Sequence, residues 1–464
     1  MHYISTRGEA PALGFEDAMF AGLARDGGLY VPEHWPRLTP RDIAGFAGLP
    51  YEEVAYRVMA PFVGDAFEPL DFRAMIERAY AGFGHPARAP LVQIGENDWV
   101  LELHRGPTLA FKDFAMQLIG QMFDHALRRR GQRAVIVGAT SGDTGSAAIE
   151  AFRGLDSVDV FILFPQGRVS EVQRRQMTTP EGPNVRAVAV EGDFDDCQAL
   201  VKAMFNDHVF RDETRLAAVN SINWARVLAQ TVYYFTSAVS LGAPYRSVSY
   251  SVPTGNFGDV YAGWAARRMG LPIDRLVVAT NRNDILHRTI TSGDHTRMTV
   301  MPTTSPSMDI QISSNFERLL FDLLDRDGEA VVELMRRLRE EGGFRLSQAV
   351  LERLKTDFAS GMASDEDVAA TIAAVAELTG EVLDPHTAVG VKAAADARGD
   401  AATPMIVLGT AHAAKFPDAV EAACGIRPAL PPRLEGLMEK PERVLRAPND
   451  LAVVQQLIRE RVHA

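Results

Sequence analysis

Short runs of uninterrupted apolar residues mark this chain from residue 134 onward: Ala134–Val137, Val158–Phe164, Val185–Glu191, Ser247–Val252, Leu276–Thr280 and Met405–Leu408. Several lack polar–apolar alternation, the pattern of strands covered on both faces in a largely parallel sheet. Between them apolar positions recur at helical spacing over Phe114–Arg130, Asp196–Phe210, Trp224–Leu241, Asp259–Met269 and Thr387–Arg398. That alternation predicts βαβ crossovers and an α/β fold. The N-terminal stretch is mixed, with helical patterns at Phe15–Ala24, Pro40–Phe46 and Tyr51–Phe62, the second led by Thr39 as N-cap. Gly328–Thr379 predicts a solvated helical region, because its Arg and Glu residues repeat at i, i+4. Met301–Phe316 is rich in Ser, Thr and Pro yet keeps Met308, Ile310, Ile312 and Phe316, which predicts an ordered loop. After Gly425 come Pro-Pro and a short helix, Leu451–Val462.

Length changes this picture only by dividing it: 464 residues make two or three domains. Charge removes function classes. With 48 Lys plus Arg against 60 Asp plus Glu, a net −12, the chain lacks the basic surplus of a nucleic-acid or anionic-membrane binder. Two distant cysteines, Cys197 and Cys424, form neither a disulfide framework nor a metal site. No apolar run approaches the ~18–20 residues of a membrane span, and the first residues lack a secretory layout. These features predict a soluble cytoplasmic protein without nucleic-acid or membrane partners. Only six of the 48 cations are lysines: Lys112, Lys202, Lys355, Lys392, Lys415 and Lys440. Lysine-based chemistry therefore has six candidates.

Three segments carry candidate chemistry. Gly138-Ala-Thr-Ser-Gly-Asp-Thr-Gly-Ser146 joins a buried strand to an Ala-rich helix, and its free N–H groups and hydroxyls suit an anion. It is neither a Walker A nor a G-x-G-x-x-G loop, and an ordinary capped turn has the same composition. Pro253-Thr-Gly-Asn-Phe-Gly-Asp259 is a second strand-to-helix turn whose Gly255 and Gly258 permit close approach of a ligand. Two such loops favour a phosphorylated ligand. The third segment is Glu102-Leu-His-Arg-Gly-Pro-Thr-Leu-Ala-Phe-Lys-Asp-Phe114. Lys112 stands there at a helix start between Phe111 and Phe114, where apolar flanks and the positive helix end disfavour an ammonium. A neutral amine is what Schiff-base chemistry needs; a surface pair with Asp113 is the alternative.

The run HRGPTLAFKDF, followed by GATSGDTGSAA and SVPTGNFGD, resembles the threonine synthases, pyridoxal-phosphate (PLP) enzymes of the tryptophan-synthase-β-like fold type II. The resemblance extends over the whole chain, through Asn220-Ser-Ile-Asn-Trp-Ala-Arg226, Ser305-Pro-Ser-Met-Asp309, Ser313-Ser-Asn-Phe-Glu-Arg318 and Thr410-Ala-His-Ala-Ala-Lys-Phe416, and it matches the longer bacterial and fungal subgroup. It implies two open twisted sheets and an N-terminal mixed domain. The implied divisions are 1–92, a large PLP domain of 93–115 with 241–425, a small mobile domain of 116–240, and a 426–464 tail on the large domain.

The resemblance also implies roles. Lys112 holds PLP covalently; Gly255, Asn256, Phe257 and Gly258 cradle its phosphate. Ser141, Asp143 and Thr144 lie near the ring hydroxyl and the substrate carboxylate, and Thr410 meets the ring nitrogen. Thr108, Arg168, Asn223 and Arg226, with Ser221, Ser313, Ser314 and Asn315, are candidates for the substrate phosphate. His412 and Lys415 have either a structural or a site role. The implied reaction takes O-phospho-L-homoserine and water to L-threonine and phosphate, making the chain a carbon–oxygen lyase of threonine biosynthesis, monomeric or homodimeric. A related phospholyase yielding a 2-oxoacid is the alternative. No residue is set aside to activate the water, so the released phosphate is the expected base.

Overall fold

The computed structural model describes residues 1–462 and contains two main sheets. The larger is built from β1 (Leu91–Gln93), β2 (Asp98–Glu102), β7 (Val248–Pro253), β8 (Ile273–Thr280), β9 (Phe358–Met362) and β10 (Met405–Gly409). Its spatial order is β9-β8-β7-β10-β2-β1, parallel except for the β1–β2 pair. The smaller sheet comprises β3 (Ala134–Ala139), β4 (Val158–Pro165), β5 (Val185–Val190), β6 (Leu216–Ala217) and β11 (Val444–Ala447). Its order is β11-β5-β4-β3-β6, and every pairing is parallel. Every residue of β4 and β7 is buried, as expected of strands with helices on both faces.

Helices α1 (Lys112–Arg130), α2 (Asp143–Phe152), α3 (Glu171–Thr178), α4 (Phe194–Asn206), α5 (Trp224–Ser240) and α6 (Gly258–Arg268) position the loops discussed below. In α1, three arginines occupy the last turn and Gly131 closes it at φ 61°, so dipole and C-cap agree. The long α5 is buried along almost its whole length and packs on both α1 and α6, joining the two sheets. Helices Phe15–Ala21, Pro40–Ala44, Tyr51–Val63 and Pro69–Tyr80 form the N-terminal region, and Thr39 makes the expected capping box. Among the described residues no helix is long and apolar enough to cross a membrane.

Two expectations are corrected. The region Gly328–Thr379 is not all helix. It supplies the edge strand β9, in which the Gly361 backbone lies so close to helix Pro385–Asp396 that a Cβ there would stand 2.8 Å from Ala393 Cα. Tertiary pairing with β8 overrides the helical charge pattern. The predicted helix Asp196–Phe210 is two helices, because Asp207 ends α4 and its side chain accepts the Phe210 N–H that starts the next, His208–Thr214. The C-terminal tail meets the large domain through Arg433, which donates to Arg105 O and Gly106 O at 2.6 Å each, but its strand joins the small sheet. Its β11 pairs with β5, while Ala447, Val454 and Ile458 bury against Val188, Cys197 and Leu200.

Candidate active site

The carboxyl ends of both sheets face one cleft of about 1760 Å³. Backbone pairing places its central amine: the Phe111 N–H donates to Thr410 O at 2.9 Å, and the His412 N–H to Leu109 O at 3.1 Å. Lys112 is therefore held at the start of α1, beside the end of β10. Its side chain is 12% exposed, and Nζ lies 3.6 Å from Asp143 Oδ2 and 5.7 Å from the Phe111 ring centre. Burial pulls the Lys112 ammonium down to about 8, although the Asp143 carboxylate works to raise it. Burial alone would raise Asp143; the Lys415 and Lys112 ammonium groups outweigh that and hold it well below the carboxylate range.

The first anion loop is shaped by Thr140, whose Oγ1 accepts the N–H groups of Gly142 and Gly145, each at 2.9 Å. Gly142 adopts φ 146°, and a Cβ there would stand 2.4 Å from the Gln173 side chain, so only glycine fits. Gln173 uses that proximity to donate to Asp143 Oδ1 at 2.8 Å. The Ser141 and Thr144 hydroxyls line the cleft and have no partner among the described residues. The second loop carries Gly255, Asn256, Phe257 and Gly258 to the start of α6, with Phe257 left-handed at φ 63°. A Cβ on Gly255 would lie 2.9 Å from Ser307 O.

Thirteen expected site residues line this one cleft: Lys112, Ser141, Asp143, Thr144, Arg168, Ser221, Arg226, Gly255, Asn256, Phe257, Gly258, Ser314 and Thr410. Three others have their side chains engaged elsewhere and lie outside its wall. Thr108 Oγ1 donates to Asp113 at 2.7 Å. Asn223 caps α5, accepting from the Ala225 N–H and donating to Met19 O and Ala218 O. Asn315 braces the second loop, donating to Ser221 O and Asn256 O while accepting from Arg318. Ser313 donates to Gly255 O at 2.8 Å, again a brace, whereas Ser221 and Ser314 line the cleft. His412 caps its own short turn through Ala414 N–H and faces His104 at 5.2 Å.

Arg226 is 3% exposed and meets no carboxylate among the described residues. One of its amino groups donates to Val219 O at 3.3 Å, and its Nε is buried without a partner among the described residues. Burial pulls the guanidinium down to about 10. An unpaired buried cation is costly unless an anion arrives to meet it. Sequence reasoning missed Gln173 and Asp259. The latter lines the cleft and accepts both Tyr233 and Tyr234 hydroxyls on Oδ1, its Oδ2 is buried without a partner, and burial raises it to about 7. Only the step after the TGNFG loop hinted at Asp259.

Comparison with known proteins decides the family. Residues 2–80 match the threonine synthase N terminus, 85–349 the pyridoxal-phosphate dependent enzymes, and 387–458 the threonine synthase C-terminal family. The threonine synthase of Pseudomonas aeruginosa is 57% identical over 459 residues, spanning 99% of this chain and 98% of its own. The chain belongs to the threonine synthase family. The crystal structure of PLP-bound threonine synthase from Brucella melitensis superposes with a TM-score of 0.98 at 56% identity, covering 100% of both chains. The yeast threonine synthase structure does so with 0.94 at 39% identity, covering 99% and 98%. The chain is thus a PLP-dependent lyase of fold type II. The cleft suits that cofactor: it offers a buried amine of lowered basicity, a glycine loop at a helix start, and at Thr410 a strand-end hydroxyl with no side-chain partner among the described residues.

Proposed function

We propose that this chain converts O-phospho-L-homoserine and water into L-threonine and phosphate. What supports this substrate is Arg226, a buried guanidinium without a counter-charge, in the same cleft as the buried amine of Lys112. Guanidinium geometry suits a phosphate dianion. Bound PLP supplies an electron-withdrawing ring conjugated to the substrate α-carbon, which lets protons leave carbon.

In this reading Lys112 holds the cofactor until substrate arrives, and its released Nζ then takes the Cα proton. Burial helps here, since an amine near 8 is partly neutral at physiological pH whereas one at 10.5 is not. Nζ must first give that proton up to the conjugated system. Neutral again, Lys112 takes a Cβ proton, and the C–O bond at Cγ breaks with its electrons leaving on phosphate; the proton from Cβ is the one Nζ then delivers to Cγ. Arg226, with Arg168 at the cleft mouth, holds that phosphate. A proton returned to Cγ makes Cβ electrophilic; water adds at Cβ, and Lys112 returns a proton to Cα. The retained phosphate takes the proton of the attacking water. Ser141 and Thr144 hold the substrate carboxylate at the α2 start; Gly255 to Gly258 hold the cofactor phosphate at the α6 start; Thr410 meets the ring nitrogen. Movement of the small sheet toward the large one excludes bulk water until the C–O bond at Cγ has broken, and keeps the phosphate in place.

The test is one incubation of purified protein with O-phospho-L-homoserine, assaying phosphate, threonine and 2-oxobutyrate together. Threonine equal to phosphate is expected. 2-Oxobutyrate in its place would make the chain a phospholyase.

A further inference from the structure

Lys415 is fully buried in the turn Ala413–Lys415, yet it reaches the reactive centre. Its Nζ donates to Asp143 Oδ1 at 2.7 Å and to Thr108 O at 2.8 Å. Thr108 is fixed in turn by Asp113, the residue after Lys112, which takes its N–H at 2.8 Å and its hydroxyl at 2.7 Å. A closed network therefore ties together the start of α1, the start of α2 and the turn after β10, across both sheets. Within it the two oxygens of Asp143 are unequal. Oδ1 receives Lys415 and Gln173, while Oδ2 faces Lys112 at 3.6 Å, beyond hydrogen-bond length.

Two ammonium groups thus share one carboxylate, and Lys415 has the closer, enclosed position. The charged groups facing Lys112 are Asp143 from α2, Arg226 from α5 and Lys415 from the turn. Of these only Asp143 favours an ammonium. Without Lys415 the one cation left beside Asp143 would be Lys112, with Gln173 as a neutral donor.

We propose that Lys415 is a positioning residue that claims the Asp143 carboxylate and thereby keeps the Lys112 nitrogen able to give up its proton. The proposal rests on the reading of Lys112 as the cofactor lysine. It explains why a lysine is enclosed behind the cleft wall in a chain where arginine predominates: a compact ammonium fits between Asp143 and Thr108 O, and its charge rather than its reactivity is used.

The test is the pH dependence of the visible absorbance of the holoenzyme, which reports protonation at the Lys112–cofactor linkage. Lys415→Gln keeps donors for Asp143 and Thr108 O but removes the charge, so the fold is retained. Its midpoint should rise by about one pH unit or more, as expected for loss of a nearby cation. Adding Asp143→Asn should bring the midpoint down again by a similar amount. A Lys415→Gln midpoint equal to wild type, or a double variant as high as the single, overturns the proposal, because a bracing role moves neither. Failure of the underlying reading looks different: the visible band would survive Lys112→Ala.

Discussion

Replacing Lys112 by methionine should abolish cofactor attachment and, at the same time, stabilise the cofactor-free protein. The magnitude follows from burial. In the fold the ammonium is lowered from 10.5 to about 8, and the side chain is only 12% exposed. The unfolded chain therefore binds the proton more tightly than the folded one, so folding is penalised wherever the unfolded lysine is charged. Below pH 8 the full penalty applies, about 3 kcal/mol. It declines as pH rises from 8 to 10.5, to about 2 kcal/mol at pH 9 and a few tenths at the upper limit. The Lys112→Met protein lacks this term, while Asp143 keeps Lys415 and Gln173 as partners. For a chain of 464 residues, 3 kcal/mol corresponds to about 3 °C in Tm. Calorimetry of cofactor-free wild type and variant at pH 7, 8, 9 and 10 provides the measurement. The gap in Tm should be widest at pH 7 and shrink to about a quarter of that by pH 10. A gap that stays constant over this range, or a variant less stable at pH 7, would refute the argument that the fold strains against the charged amine. The strain has a functional meaning: a site that wants a neutral amine destabilises the apo fold.

Other consequences are smaller in scope. Arg226→Gln should weaken competitive inhibition by inorganic phosphate roughly 10- to 100-fold, the value of a charged hydrogen-bond pair; unchanged inhibition would remove Arg226 from the phosphate site. Gly142→Ala forces a positive φ on alanine and pushes Gln173 off Asp143, which should cost about 1–3 kcal/mol in denaturant unfolding. Asn223→Ala should lower stability by roughly 1–2 kcal/mol through loss of the α5 cap; a normal Tm combined with a raised KM would return Asn223 to the list of substrate contacts.

Much of this protein was legible in its sequence because local signals agreed with the global fold. The strands Val158–Pro165 and Val248–Pro253 are apolar from end to end, and buried parallel strands need that. Lys112 was visible as one of six lysines at a helix start between aromatic residues. Strand β9 was not, since Phe-Ala-Ser-Gly-Met has no strand pattern of its own and becomes a strand only by pairing with β8. The tail's strand is hidden for a similar reason: its docking on β5 is a long-range pairing without a local code. At the site, residue type identified polar candidates but could not say which were already engaged. Thr108, Asn223 and Asn315 carry suitable donors, yet the fold uses each one to hold a loop or a helix end. Conversely, the pairing of Lys415 with Asp143 joins residues from different sheets and appears only in three dimensions.

The chemistry proposed for this cleft depends on one amine among the six lysines. Borohydride reduction of the holoenzyme, followed by peptide mass analysis, locates the lysine that carries PLP. The pyridoxyl group should be found on Lys112 alone; finding it on Lys415, 2.7 Å from the same Asp143, or on any other lysine would contradict the account.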